Sequence, residues 1–403
     1  MAFNLTNLLA TLDSSIAALD SASELLEVLQ AINVTNSTKG HGKTQRKYYT
    51  SVASLPAADS AMRGMVAVVS TAKVDSANGL YLCTGTAWTE IQDLDSEAGY
   101  SFQGSNFGYT SGGYPAPSMG NTIDKFPFAA DANATDVGDL TFVIVDTTGQ
   151  SSSTHGYVSG GASSPDPTPA TPIFQDVIQK FSFSADENAT DVGDLTVARR
   201  DLAGQSSENN GYSSGGVISP GPTSFQNVID KFPFASDANA TDVGDVTVAR
   251  SRIVGQNSTD NGYSSGGRVD PVFQNIIDKF PFASDTNATD VGDITVARGN
   301  TAGQSSTTHG YNSGGTPYPP GDVIDKFAFA SDGNATDVGD LTVGRYQAAG
   351  QSSTVSGYSS GGRNWPTVPH GNMIDKFPFA SDANATDVGD LTEGRWAVSG
   401  QQY

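Results

Sequence analysis

The sequence is poor in cysteine, histidine and positive charge. Its 403 residues include one cysteine, Cys83, and four histidines, and 21 lysines and arginines stand against 43 aspartates and glutamates. A single cysteine excludes an intramolecular disulfide and a zinc site built from several thiolates. The net charge of −22 repels nucleic acid phosphates and anionic lipid, so we expect neither nucleic acid nor a membrane surface as a partner.

Long apolar runs and catalytic patterns are also scarce. No stretch approaches the roughly 18 apolar residues of a membrane-spanning helix, so no membrane insertion is expected. The first residues lack the pattern of a secretory signal peptide, and an extracellular role would therefore need another route, such as release by lysis. No histidines have metal-ligand spacing, and no Gly-x-Ser-x-Gly segment joins a strand to a helix. We expect a protein without enzymatic activity, bound metal or cofactor.

The main positive feature is a block of about fifty residues that recurs six times between Gly108 and Tyr403. Each copy carries Gly-Tyr, Gly-Gly, Ile-Asp-Lys-Phe (Ile-Gln-Lys-Phe in the second copy), Asn-Ala-Thr-Asp-Val-Gly-Asp and Gly-Gln. A period of this size is typical of propellers and solenoids. The last Gly-Gln, at Gly400, reaches the chain end without the following Gly-Tyr, which is the piece that opens the series at Gly108. This split predicts a ring in which the C-terminus completes the first unit.

Each copy has room for a meander of strands. In the copy that ends at Arg250, four strands are predicted at 202–205, 211–216, 227–234 and 245–250. The apolar layer between neighbouring sheets is predicted to contain Tyr212, Ile229, Phe232, Phe234 and Val248. Four strands per unit, six times over, predict a mainly β fold, a six-bladed β-propeller with a split blade. A parallel β-solenoid is the alternative, although units of 47–55 residues are long for one coil and leave the split ends unexplained.

The order Gly-Tyr-x-Ser-Gly-Gly, a loop, Val-Ile-Asp-Lys-Phe and a closing arginine resembles a kelch repeat over residues 108–403. The resemblance implies that the glycine pair ends the second strand and that the aspartate lies on the third. The copies depart from the kelch pattern because no tryptophan opens the fourth strand and because Val145 replaces the closing arginine of the first copy. The expectation is therefore kelch-like geometry.

The N-terminal region has a different pattern. Residues 3–33 predict a helix with a heptad repeat at Leu5, Leu12, Leu19 and Leu26. The heptads predict self-association, with a trimer favoured, and the alternative is a helical hairpin packed on its own body. The predicted domains are a helical segment and linker at 1–48, a small β collar module at 49–99 and the propeller at 100–403.

Residues 54–88 contain Ser54-Leu-Pro56, Gly79-Leu-Tyr81 and Gly85-Thr-Ala-Trp88. This phrase resembles a small module common in bacteriophage tail-fibre and appendage proteins, and it covers roughly forty residues. The resemblance implies a virion structural protein at the tail or capsid surface, whose N-terminal region binds other virion proteins. Two alternatives stay open: a head decoration or head-fibre protein with a purely structural propeller, and a glycan-cleaving enzyme with paired carboxylates.

The repeated polar motifs are expected to be structural. The turn at 237–245 places oxygens at alternating positions like a calcium loop, but it lacks the glycine and glutamate of an EF-hand. Its Asn-Ala-Thr sequon recurs six times inside the same turn, so we expect no glycosylation there. Asp230 and its equivalents are expected to pair with closing arginines such as Arg250 between blades.

The copies differ most between Gly-Gly and Ile-Asp-Lys-Phe and after the closing arginine. The first of these segments carry prolines and one large aromatic each: Tyr114, Phe174, Phe225, Phe273, Tyr318 and Trp365. In an up-and-down blade both connections emerge on one face, opposite the uniform turns. A constant scaffold with one variable, aromatic-bearing face is typical of binding surfaces. We predict that this face binds a host surface glycan or protein.

Overall fold

The computed structural model describes residues 101–403 except 165–171, 219–223, 318–320 and 365–369, together with four strands before residue 100. The chain forms two units, Met1–Gly99 and Tyr100–Tyr403. Among the described residues, no helix is long and apolar enough to cross a membrane. The helix predicted over 3–33 lies outside the described residues, as do its leucines Leu5, Leu12, Leu19 and Leu26.

The first unit contains a four-stranded sheet. Its strands follow the chain in the order β1 (Tyr48–Tyr49), β2 (Val66–Val69), β3 (Gly79–Cys83) and β4 (Trp88–Asp93). The first pair is parallel and the other two are antiparallel. Apolar runs at 65–69, 79–83 and 87–91 predict three strands in the β module, and β2, β3 and β4 match them with small shifts at their ends.

The second unit is a six-bladed β-propeller, as predicted. Blade one begins with β5 (Phe107–Ser111), β6 (Thr122–Pro127) and β7 (Thr135–Asp139). Blade two has β8 (Thr148–Ser151), β9 (His155–Ser159), β12 (Val177–Ser182) and β13 (Thr190–Asp194), with a small hairpin of β10 (Ala162–Ser163) and β11 (Ile173–Phe174) between the second and third. Blade three has β14 (Ala203–Ser206), β15 (Asn210–Ser214), β16 (Val228–Pro233) and β17 (Thr241–Asp245).

Blade four has β18 (Val254–Asn257), β19 (Asn261–Ser265), β22 (Ile276–Pro281) and β23 (Thr289–Asp293), with the hairpin β20 (Arg268–Val269) and β21 (Val272–Phe273). Blade five has β24 (Ala302–Ser305), β25 (His309–Ser313), β26 (Val323–Ala328) and β27 (Thr336–Asp340). Blade six has β28 (Ala349–Ser352), β29 (Ser356–Ser360), β30 (Met373–Pro378) and β31 (Thr386–Asp390). The C-terminal β32 (Ser399–Gln402) then completes blade one as its innermost strand by pairing with β5.

The hydrophobic core lies between the blades. At one seam, Tyr212, Ile229 and Val246 of blade three form a cluster with Phe280 and Ala288 of blade four. The tyrosine of Gly-Tyr stacks on the next blade, since Tyr212 lies 4.9 Å from Phe282 between ring centroids. The glycine before it is needed because a Cβ at Gly211 would come within 2.3 Å of the Phe232 ring on the paired strand.

The predicted fourth strand is wrong except at its first residue, Asp245. Instead of 245–250, β17 covers Thr241–Asp245, and the residues after it leave the sheet because Thr247 donates its backbone N–H and its hydroxyl to Asp278 of the next blade. Val246 is therefore the buried residue, whereas Val248, predicted for the core, is exposed. The other predicted core residues are buried or packed against the core.

The predicted ion pairs between blades are present. Arg250 of blade three pairs with Asp278 of blade four at 2.7 Å, and both side chains are fully buried. The same pair recurs at five of the six seams. The exception is the seam between blades one and two. The residue in the arginine position of blade one is Ile144, and the prediction of Val145 is wrong. The second glycine of the Gly-Gly pair in the same blade identifies the position. Its N–H donates to the Ile144 carbonyl in blade one, as it does to the Arg250 carbonyl in blade three.

The two faces of the ring differ as predicted. We call the face with the connections from second to third strand and from fourth to first strand the upper face, and the opposite one the lower face. The chain enters the propeller on the lower face near the axis, where the buried Gln103 donates to the carbonyls of Ser305 and Ser353 at the ends of two innermost strands. The variable connections therefore lie on the face opposite the point of entry.

Candidate ligand-binding site

A closed ring of backbone hydrogen bonds surrounds the propeller axis on the upper face. It consists of one residue per blade in the left-handed conformation, with φ between 55° and 59°. Each N–H donates to the carbonyl of the preceding member at 2.8 to 3.1 Å, and the last bond closes the circle. The members of this axial ring are Asp146, Asp201, Arg252, Asn300, Gln347 and Ala397. None is glycine, so every blade contributes a side chain, and the six side chains are of five types that differ in size and charge.

Two further sets of six equivalent residues lie beside the axial ring. The residue before each axial member forms a bridge with the residue after the Gly-Gly pair of the next blade. The second ring is Val145, Arg200, Ser251, Gly299, Tyr346 and Trp396, and the third ring is Ala162, Val217, Arg268, Thr316, Arg363 and Tyr114. These rings collect the differences between otherwise similar blades around the axis.

A cavity of about 420 Å³ opens among the three rings. Below it, the innermost strands enclose a narrower space of about 110 Å³. The strands approach closely there because each carries a glycine: a Cβ at Gly255 would lie 1.9 Å from the carbonyl oxygen of Gly204. We call the larger cavity the channel mouth. It is a wide opening above a narrower space.

Aromatic rings hold several arginines of the mouth in place. The guanidinium of Arg363 lies 3.6 Å from the centroid of Trp396 and 4.9 Å from that of Tyr346. Arg268 lies over Phe273 at 5.3 Å, and Arg200 lies over a further phenylalanine, Phe174, at 5.2 Å. Stacking of this kind fixes the plane of a guanidinium and leaves its edge free to donate hydrogen bonds.

Two carboxylates of the axial ring also line the mouth. Asp146 accepts hydrogen bonds from Arg200 at 3.2 Å and from Gln347 at 2.8 Å. Gln347 reaches it across the position of Ala397, whose methyl group leaves space. Burial raises the pKa of Asp201 to about 7, and the negative charge of Asp146 adds to the effect, against the opposing influence of Arg200 and Arg252. Burial also raises the pKa of Asp146.

The predicted aromatic residues lie around this mouth to different extents. Phe273 lines it, and Tyr114 packs on Trp396 with 5.2 Å between ring centroids. Phe174 supports Arg200 from the β10–β11 hairpin, and Phe225 forms a bridge with Val217 beside the same arginine. Tyr318 and Trp365 lie outside the described residues.

The polar residues at the centre of the mouth were not among the predicted site residues. The segments after the closing arginine had been recognised as variable, and these segments contain Asp146, Asp201, Arg252 and Gln347. Nothing in the sequence marks their left-handed conformation, because that position holds no glycine in any copy. The predicted aromatic residues that the structure describes therefore lie around the mouth, whereas the polar residues at its centre were not predicted.

The uniform turns of the lower face join the blades to one another. Asn287 of blade four accepts a hydrogen bond from the backbone N–H of Asp245 in blade three at 3.1 Å, and the same contact occurs at all six seams. The sequon asparagine and the oxygens of the calcium-like turn thus serve as blade connectors. In the part of the chain that the structure describes, no three acidic, histidine or cysteine side chains are grouped to hold a metal ion.

Known protein families give no match to this chain, and neither do curated proteins at a significant level of similarity.

Proposed function

We propose that this protein is a virion appendage of a tailed bacteriophage, a receptor-binding protein whose propeller contacts the host surface through the channel mouth. The observation that carries the proposal is the concentration of differences in the three rings. The blades repeat the same core and the same lower turns, and five of the six seams have the same ion pair. Selection for ring closure alone does not require five or six different residue types at each of these three positions on one face.

The direction of the chain supports this role. Residues 101–106 lie on the lower face, where Gly104 donates its N–H to the carbonyl of Ser352. A propeller attached through its lower face presents the opposite, upper face outward. In the proposed appendage, the N-terminal region associates the chains, with a trimer favoured, and binds other virion proteins. The phage assignment itself rests on the resemblance of residues 54–88 to tail-fibre modules.

The repeat is proposed to be a variant of the kelch blade. The glycine pair at the end of the second strand supports this assignment, since both glycines have positive φ, 63° at Gly215 and 106° at Gly216. The aspartate of the third strand and the closing arginine are present as well, but they pair across the seam.

We further propose that the mouth binds its ligand without cleaving it. Asp146 is engaged by Arg200 and Gln347, and Asp201 lies 3.9 Å from Arg200. An engaged carboxylate such as Asp146 serves to position its arginine. A glycosidase needs one free acid and one free nucleophile or base on opposite sides of a sugar, and with Asp146 engaged, the two aspartates that line the mouth do not supply both.

The test is to raise an antibody against the full chain and to locate it by gold labelling on phage particles from the source culture. Purified full-length protein is then added to host cells before infection. Label at the tail tip or fibres, with fewer infections in the presence of the protein, is the expected result. Label over the head identifies a head decoration instead, and absence of label from every particle removes the phage assignment.

A further inference from the structure

The channel mouth differs in charge from the rest of the chain. The whole sequence has about half as many lysines and arginines as aspartates and glutamates, 21 against 43. Four arginines line the mouth, Arg200, Arg252, Arg268 and Arg363, and two aspartates lie among them. Asp270, which pairs with Arg268 at 2.7 Å, brings the acidic count to three. Cations therefore outnumber carboxylates only locally, at the centre of the variable face.

Two of these arginines have no carboxylate partner. Of the lysines and arginines that the structure describes, all except Arg252 and Arg363 lie within 4.0 Å of a carboxylate oxygen. Both exceptions line the mouth. The Nε of Arg363 is buried and makes no hydrogen bond within the described part of the chain. In a protein with a large excess of carboxylates, unpaired guanidinium groups at one cavity indicate that an external anion completes the site.

The two arginines are ordered for this purpose by different means. Arg363 is stacked on Trp396 and Tyr346, which orient its fork without using its donors. Arg252 is a member of the axial ring, and its backbone is fixed by hydrogen bonds to Asp201 and Asn300. The stacked guanidinium of Arg363 loses little freedom when it binds an oxyanion, and the fixed backbone of Arg252 places its side chain at the mouth.

The remaining lining is suited to hydroxyl groups. Asn300, Gln347 and Thr316 surround the arginines, and amide and hydroxyl side chains both donate and accept hydrogen bonds. A sugar presents many such groups close together. The space below the mouth narrows to about 110 Å³, which favours a terminal unit or a short branch over a polymer threaded along the axis. The net charge of −22 opposes nucleic acid as the source of the anion.

On the basis of the receptor-binding function proposed above, we infer that the channel mouth binds an acidic sugar unit, with Arg252 and Arg363 as the residues that contact its anionic group. The anionic group is a carboxylate, a sulfate or a phosphate ester, since each accepts paired hydrogen bonds from guanidinium groups. Asn300 and Gln347 position the sugar hydroxyls.

The experiment measures binding of the full chain to matched saccharides by calorimetry. The probes are galacturonic acid oligomers, the same oligomers with their carboxylates converted to neutral amides, sulfated galactose oligomers and a mannose 6-phosphate disaccharide. At least one acidic probe is expected to bind, and the neutral amide is expected to bind at least about tenfold more weakly than its parent acid if the carboxylate is the recognised group. The sulfated and phosphorylated probes distinguish the source of the anion.

The variants are Arg252→Gln and Arg363→Gln, each expected to weaken binding of the acidic probe at least about tenfold. Lys231→Gln removes the same charge on the lower side of blade three, where Lys231 pairs with Asp285, and is expected to leave affinity unchanged. Because Arg363 is stacked on Trp396, its loss can disturb folding, and thermal unfolding of each variant reports this. If Arg363→Gln is destabilised, the affinity of Arg252→Gln for the acidic probe still tests the inference.

The possible failures are distinguishable. If the protein blocks infection of host cells but binds no acidic probe, or binds one equally well in both arginine variants, the acidic-sugar inference is wrong and the receptor-binding function stands. If an acidic probe binds through the two arginines but the protein neither labels particles nor blocks infection, the site assignment holds and the phage function is wrong.

Discussion

Gln179 of blade two accepts two hydrogen bonds from Thr141 of blade one, both at 2.7 Å, through the backbone N–H and the hydroxyl. At the other five seams an aspartate receives the equivalent pair and also binds the closing arginine. Here the arginine position holds Ile144, which is fully buried in a cluster with Val158. At this seam, an amide and two apolar side chains together replace the buried ion pair that the other five seams contain. Loss of one partner alone would bury an unpaired charge.

The residues of the seam between blades one and two can be introduced into the seam between blades three and four. We expect Arg250→Ile and Asp278→Gln separately to lower the free energy of unfolding by about 3–5 kcal/mol, because each leaves a buried charge without its partner. The triple variant that adds Ser264→Val, the counterpart of Val158, is expected to recover at least half of that loss. Urea unfolding of the four proteins measures the coupling. If the loss in the triple variant equals the sum of the separate losses, these residues do not depend on one another, and the prediction is wrong.

The second prediction concerns the glycines nearest the axis, where an added methyl group is expected to destabilise the ring. In Gly255→Ala the new methyl group would lie 1.9 Å from the carbonyl oxygen of Gly204, and a backbone atom in a closed ring cannot move aside. We expect a loss of more than about 3 kcal/mol. Gly333→Ala is the matched control: no atom lies within 4 Å of its Cβ position, and other copies have alanine there. A thermal shift of similar size in both variants would show that the ring tolerates separation of its innermost strands.

The C-terminal strand is predicted to be essential for the ring. Removal of residues 399–403 takes away β32 and leaves β5 without its inner neighbour, so blade one loses the strand that packs at the axis. We expect a lower midpoint of thermal unfolding and association between chains through the exposed edge, measured by light scattering. Tyr403 is partly exposed, and a short extension after it is the control and should leave both measurements unchanged. A truncated protein with the same association state as the full chain and an unchanged midpoint would contradict ring closure.

Much of the architecture could be predicted, because each repeated motif is explained by a single steric constraint or by burial of apolar side chains. Gly211 precedes Tyr212 because Phe232 covers it, and the Gly400 motif at the chain end needs its partner at Gly108. The fourth strand was placed too late, because alternating valines satisfy a strand pattern whether or not their backbone groups have a sheet partner. In this case Thr247 turns to the next blade instead.

The candidate site was harder to predict, because its geometry comes from the ring and not from any one copy. Gln347 and Asp146 are joined by a hydrogen bond of 2.8 Å, although 201 positions separate them in the sequence. The left-handed conformation at Arg252 is imposed by neighbours in two other blades. Sequence differences between copies could locate the variable face, but they could not indicate which side chains converge on the axis.

The last prediction concerns Asp201 and pH. Because burial and Asp146 raise the pKa of Asp201 to about 7 in the folded protein, and an aspartate in an unfolded chain titrates near about 4, the folded state binds this proton more tightly. Ionisation of Asp201 therefore costs stability above pH 7, and the cost is relieved as the pH falls from 7 toward 4. We expect Asp201→Asn to be more stable than the native protein at pH 8, with a gain that shrinks at pH 6 and is smallest near pH 4. Urea unfolding at these three values measures it, and Asp270→Asn, at the half-exposed rim, controls for the change in net charge. A gain that is constant with pH, or that grows toward low pH, would show that Asp201 stays ionised in the mouth and that Arg200 and Arg252 outweigh its burial.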